Sequence, residues 1–152
     1  MGKFLVLQLR PETEASDDEF DAFLSRGGLD AAETHRIRLD EVRLPADLRL
    51  EDYVGVIIGG GPGCVSDPVE TKDPLEARME EDCLALMPEI VARDMPFMGC
   101  CAGIGLLAHH LGAEVSKRQY SEPVGPVECR FTPAAADDPL MQDLDVSGPF
   151  TA

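Results

Sequence analysis

Basic residues are scarce in this sequence: 13 Lys and Arg stand against 29 Asp and Glu, a formal net charge of -16. A surface that negative repels phosphate backbones and anionic lipid, so nucleic acid and membrane-surface partners are not expected. The acidic excess reads as a solubility device and names no substrate. No apolar run approaches the roughly 18 residues of a membrane span, and the run over residues 4–7 is too brief for the core of a signal peptide. The five cysteines (Cys64, Cys83, Cys100, Cys101 and Cys129) are odd in number and lack any C-x-x-C spacing. That argues against a disulfide framework and a zinc knuckle, predicts no metal site, and fits a reducing cytoplasm. There is no internal repeat. With 152 residues, 44% of them hydrophobic, the chain suits one domain over residues 1–152, burying roughly two thirds of its unfolded surface.

What is present is a succession of short elements. Residues 3–9 are apolar and β-prone, and Arg10-Pro11 stops them. Ser16 with Glu19 three residues on predicts a capping box, followed by a helix to Arg26 with Phe20, Phe23 and Leu24 at helical spacing, ended by Gly27-Gly28. Residues 35–39 and 53–58 predict two more strands, the latter apolar nearly throughout, as strands covered on both faces are. Asp73-Pro74-Leu75-Glu76 predicts a second helix start, and Leu75, Met79, Cys83, Leu86 and Ile90 form an amphipathic stripe to about Arg93. Pro88 is expected to kink or divide that helix. Residues 96–100 predict a strand, 102–111 a helix closed by Gly112, and 127–132 alternate as β-structure. Strands separated by helices imply a mostly parallel α/β sheet. Asp17, Asp18, Glu19 and Asp21, like Glu80, Glu81 and Asp82, read as solvated helix faces.

Phe97-Met98-Gly99-Cys100-Cys101-Ala102-Gly103 is the most informative segment. It sets a cysteine between strand and helix with glycine two residues either side, the cysteine version of the nucleophile elbow G-x-S-x-G. Glycines are needed there because side chains beside a strained turn would clash, and the helix start that follows favours a thiolate. Only Cys101 has both glycine flanks; Cys100 would be flanked by Met98 and Ala102. The competing reading makes both cysteines buried small hydrophobes. A second motif shifts the balance: Ile57-Ile58-Gly59-Gly60-Gly61-Pro62-Gly63 follows another strand and opens at the same carboxyl edge of the sheet. Its glycines free N–H groups for a developing oxyanion. Neither G-x-G-x-x-G nor G-x-x-x-x-G-K-[ST] fits these positions, which leaves a plain turn or an oxyanion loop.

These motifs, with Leu106-Leu107-Ala108 and Leu111-Gly112-Ala113, resemble the class I glutamine amidotransferase domain, especially its stand-alone branch termed GMP-synthase-like. The resemblance runs from about Lys3 to Phe150. Tyr120-Ser121-Glu122-Pro123-Val124-Gly125, then Thr132 and Asp138-Pro139-Leu140, look like that family's segment after the elbow. The resemblance implies a flavodoxin-like three-layer αβα domain with a mostly parallel central sheet. It implies that Cys101 attacks the side-chain amide of glutamine, and that backbone N–H groups of Gly61 and Ala102, with Gly60 beside them, bind the oxyanion and substrate. It implies no cofactor, glutamine as the small-molecule substrate, and a synthase partner that receives the ammonia.

Two departures from the family pattern stand out. The family commonly carries glutamine two residues past the second elbow glycine, where this chain has Gly105. Its catalytic base is a histidine, oriented by a glutamate, downstream of the post-elbow segment; here the sequence ends at Ala152. His109 and His110 lie roughly 12 Å along the helix from the nucleophile at 1.5 Å per residue, whereas a base works at about 3 Å. They read as a helix-end pair, and His35 as a surface residue. The expectation is therefore that the native polypeptide continues past Ala152 and that the continuation supplies the His-Glu pair. Two other functions compete: a cysteine hydrolase or chaperone-like member of the same fold, and a non-catalytic glutamine-binding or regulatory subunit.

Overall fold

The computed structural model of the chain describes residues 2–116, 118 and 125–151. The chain divides into two compact units, residues 1–116 and 117–152. The first is built on a four-stranded sheet in the order β2-β1-β3-β4, all pairs parallel. Its strands are β1 (Lys3–Gln8), β2 (Thr34–Arg38), β3 (Tyr53–Ile58) and β4 (Phe97–Gly99). Leu5, Leu7, Val56 and Ile58 point to one face, where α2 (Pro74–Ala92) and α3 (Ala102–His110) cover them. Val6, Gln8 and Ile57 point to the other, the side of α1 (Thr13–Gly27). This is the expected parallel α/β arrangement, with helices on both faces because both faces of β1 and β3 are apolar.

Local chemistry sets the helix ends, and here several expectations change. α1 starts at Thr13 after Glu12, whose side chain makes no cap. Ser16 is therefore not the N-cap: it lies one turn inside the helix, wholly buried, its N–H on the Glu12 carbonyl at 2.9 Å. Its partner in the expected capping box, Glu19, turns away to another task described below. The far end follows expectation, with Gly28 left-handed at φ 62° and its N–H on the Leu24 carbonyl. Asp73 caps α2 through Leu75 N–H at 2.8 Å, with Pro74 in the first turn. Pro88 does not divide α2, which runs on from Pro74 to Ala92; it sits on the exposed face. The buried stripe of α2 is Met79, Asp82, Cys83, Met87 and Ile90, with Met87 in the deep position expected of Leu86. Asp82 is not a solvated side chain either, being 7% exposed and held by Arg43 Nη2 at 2.6 Å.

The second unit contains β5 (Glu128–Arg130) and β6 (Pro149–Thr151), paired antiparallel, with Phe131 and Phe150 stacked at 4.8 Å between centroids. β6 has no counterpart in the sequence reading. The expected post-elbow residues 120–124 lie outside the described residues. Among those described, no helix is long and apolar enough to cross a membrane.

Candidate active site

The sheet's hydrogen-bond ladder runs on past the strands and builds the site. Gly59 N–H bonds the Leu7 carbonyl at 2.9 Å, continuing β3 against β1, and Cys100 N–H bonds the Ile58 carbonyl at 2.9 Å, continuing β4 against β3. Gly103 N–H then reaches the Gly59 carbonyl at 3.2 Å, tying the start of α3 to the triple-glycine loop. The two sequence motifs thus meet at the carboxyl edge of the central strands.

Cys101 is the residue before α3 and adopts φ 52° and ψ -105°, a region that L residues rarely occupy and that costs about 1–3 kcal/mol to hold. Its side chain is exposed. The flanking glycines are required sterically. A Cβ on Gly99 would lie 2.6 Å from the backbone of Gly103 and Ile104, and one on Gly103 would lie 2.4 Å from the Ile58 carbonyl oxygen. The chain can therefore make this turn only with both positions bare, and the turn lifts Cys101 clear of the sheet.

The neighbouring thiols are less exposed than Cys101. Cys100 is half-buried, and its pKa is raised, first by burial and then by the charges of Glu19 and Cys101. Cys83, in the core, is pushed up to about 12 by burial, with Asp82 and Glu80 adding to the shift.

Gly61 and Ala102 line one small cavity beside the loop, together with Leu9 and Leu106. Their N–H groups have no acceptor among the described residues, as the first-turn position of Ala102 dictates. Gly60 departs from expectation. Its N–H donates to Glu19 Oε1 at 2.9 Å and is not free for an oxyanion. Lys72, 4% exposed, holds the loop that follows: its Nζ bonds both oxygens of Glu80 at 2.6 and 2.8 Å and the Val65 carbonyl at 3.4 Å.

Sequence reasoning missed the cluster behind Gly60. Glu19, only 12% exposed and not a solvated residue, accepts from Gly60 N–H, from Arg10 Nε at 3.2 Å and from Gln8 Nε2 at 3.0 Å. Gln8 is wholly buried in β1 and also donates to the Ser16 carbonyl and accepts from Arg36 Nε. The available signal was Gln8 itself, since a polar side chain in an apolar buried strand needs partners.

None of the three histidines stands at Cys101. His35 is on β2, at the edge of the sheet, bonded to the Tyr53 hydroxyl, and His109 and His110 close the last turn of α3, whose first residue follows Cys101. Gly105 has room: a Cβ there would make only ordinary contacts, 3.7 Å to Val65 and 3.9 Å to Val115. No group of three or more His, Cys, Asp or Glu able to hold a metal occurs among the described residues.

Comparison with known proteins adds a family to this geometry. The profile of the family described as glutamine amidotransferase class-I matches residues 25–137. Over 88 residues the chain is 32% identical to the GMP synthase [glutamine-hydrolyzing] of Geobacillus kaustophilus, a match covering 58% of this chain. Over 84 residues it is 33% identical to the enzyme of the same name from Lactobacillus gasseri, covering 52%. In each case the match spans 14% of the relative's length. A crystal structure of a glutamine amidotransferase from Thermotoga maritima superposes with a TM-score of 0.66 at 20% identity, over 99% of this chain and 59% of that one. At that identity the superposition bears on the fold, which it matches.

Proposed function

Because the chain belongs to the glutamine amidotransferase class-I family, we propose that it carries the glutaminase half-reaction with Cys101 as nucleophile. The Cys101 thiolate attacks the side-chain amide carbon of glutamine, and the oxyanion that forms accepts hydrogen bonds from Gly61 and Ala102 N–H. Collapse breaks the carbon–nitrogen bond. The nitrogen leaves as ammonia after protonation, and a γ-glutamyl thioester remains on Cys101. Water then hydrolyses the thioester, releasing glutamate and the thiolate. No cofactor enters these steps. The ammonia passes to an acceptor on a synthase partner. The proton transfers need a general base that His35, His109 and His110 do not supply.

The observation that carries this reading is the exposed thiol at a strained φ of 52°, with the triple-glycine loop beside it. The lack of a histidine at Cys101 favours a second reading, a subunit that binds glutamine without turning it over. A chloroketone analogue of glutamine, L-2-amino-4-oxo-5-chloropentanoic acid, tests the shared core of both. We expect one adduct, on Cys101, by peptide mass mapping. An adduct on Cys100 or Cys64 with Cys101 untouched refutes the assignment. With Cys101 labelled, ammonia release from glutamine by the same protein supports turnover, and its absence supports the binding subunit.

A further inference from the structure

Arg10 follows β1 by two residues and reaches the site from the side opposite α3. A Cβ placed on Gly60 would lie 2.6 Å from Arg10 Nη2 and 3.3 Å from Cys101 Cβ. Arg10 Nη2 and Cys101 Cβ thus flank the space that a side chain at position 60 would fill. Any side chain at position 60 would push the two apart, which gives the middle glycine of the triple a purpose apart from donating a hydrogen bond.

The guanidinium is held in place. Arg10 Nε donates to Glu19 Oε1, and the same oxygen accepts from Gly60 N–H, so one half-buried carboxylate fixes both the loop and the arginine. Glu19 is itself anchored by Gln8, which is 0% exposed. Arginine has five N–H donors, and this pairing uses one. Among the described residues Nη1 and Nη2 have no hydrogen-bond partner, and the side chain is 37% exposed. A prepositioned arginine with both Nη groups, four N–H donors, free beside a nucleophile is suited to a carboxylate, which it can take bidentately. On a chain of net charge -16 such an anion-binding point is otherwise disfavoured.

We infer that Arg10 binds the α-carboxylate of the glutamine whose side-chain amide Cys101 attacks, and that Glu19 positions it. This rests on the glutaminase reading above. A short saturated chain joins the two ends of glutamine, so a carboxylate on Arg10 leaves the amide within reach of the neighbouring thiol. The same contact gives selectivity: amides without an α-carboxylate, such as asparagine or glutamine side chains within a peptide whose α-carboxyl is blocked, forfeit it.

The test compares labelling rates of Cys101 by the chloroketone analogue of glutamine, by the same compound as its α-carboxamide, and by iodoacetamide. Wild type is set against Arg10→Gln and Arg10→Lys, using the whole chain, with circular dichroism to check folding. We expect wild type to prefer the free acid over its carboxamide by about 10- to 100-fold, the range of a charge-assisted pair. Arg10→Gln should bring the preference to within about 3-fold, Arg10→Lys should keep part of it, and iodoacetamide rates should stay within about 3-fold throughout. If Arg10→Gln keeps the full preference, Arg10 is not the carboxylate site, while the glutaminase reading stands. If iodoacetamide labelling falls as much as the analogue's, Arg10 acts on the thiol or the fold and the inference fails. If wild type itself does not prefer the free acid, the glutamine reading fails and takes the inference with it.

Discussion

Replacing Cys101 by glycine and by alanine separates the backbone strain of the elbow from the chemistry of the thiol. Both variants lose the sulfur, but only alanine keeps the Cβ that makes φ 52° and ψ -105° unfavourable. Relief of that strain is worth about 1–3 kcal/mol in favour of glycine. Against it, the unfolded glycine chain gains entropy worth about 0.4–1 kcal/mol. Glycine at the residue preceding a helix also outranks alanine, by about 0.5 kcal/mol. The balance predicts that Cys101→Gly is more stable than Cys101→Ala by about 1–2 kcal/mol. With a urea slope of about 2 kcal/mol per molar, the midpoint should rise by about 0.5–1 M. Urea titrations followed by circular dichroism, at one pH and with equal slopes, measure this. A difference of about 0.5 kcal/mol or less is no more than the helix-start preference explains; it would refute the claim that the backbone at Cys101 stores strain, as would a reversed sign.

Three other outcomes follow from the same contacts. Gly103→Ala places a methyl 2.4 Å from the fixed Ile58 carbonyl oxygen and should destabilise by about 1–3 kcal/mol, whereas Gly105→Ala, whose methyl meets only ordinary contacts on the same helix, should stabilise by about 0.5–1 kcal/mol; urea midpoints moving in the same direction would contradict this. Glu19→Ala should cost about 1–3 kcal/mol by stranding its buried donors, and with Cys101 replaced by alanine it should lower the Cys100 pKa in an alkylation profile only partly, because burial is the larger cause and remains. Cys83, pushed up to about 12, contributes stability that is intact below the ordinary thiol range near pH 9. That stability is lost as pH rises towards 12, by at most about 4 kcal/mol. Cys83→Ala should therefore flatten the alkaline fall in chemical-denaturation stability, and an unchanged slope would show that the thiol does not titrate against folding.

The parallel sheet was legible because β1 and β3 are apolar on both faces, a pattern that few other arrangements satisfy. The elbow was legible because steric demand leaves a mark at fixed spacing: Gly99 and Gly103 are bare for reasons that act within a few residues of Cys101. Glu19 was misread for the complementary reason. Ser16 and Glu19 have the spacing of a capping box, but Glu12 begins the helix one turn earlier, and the partners of Glu19 are Gly60 and Arg10, which no local pattern relates to it. Asp82 was misread likewise, because Arg43, its partner, lies 39 residues away. Leu86 and Met87 exchanged places because one position along a helix turns a side chain by only about a quarter of the circumference, and packing chose between them. β6 left no signal, as three residues beginning with proline carry no alternation to read.

The extension of the sheet's ladder into Gly59 and Cys100 has a dynamic consequence. The Gly59 amide, bonded to Leu7 between the two central strands, meets solvent only when β1 and β3 come apart and should exchange slowly, whereas the Cys100 amide, bonded to Ile58 from the edge strand β4, needs only β4 to fray. The loop of residues 62–72 is tied to α2 by side-chain links such as Lys72 to Glu80, and its amides should exchange through small local openings. Cys101 therefore stands beside backbone tied into the sheet through Gly59 and Cys100, in contrast to the loop. On the glutaminase reading, accommodation of a substrate then falls to the loop before it falls to the elbow.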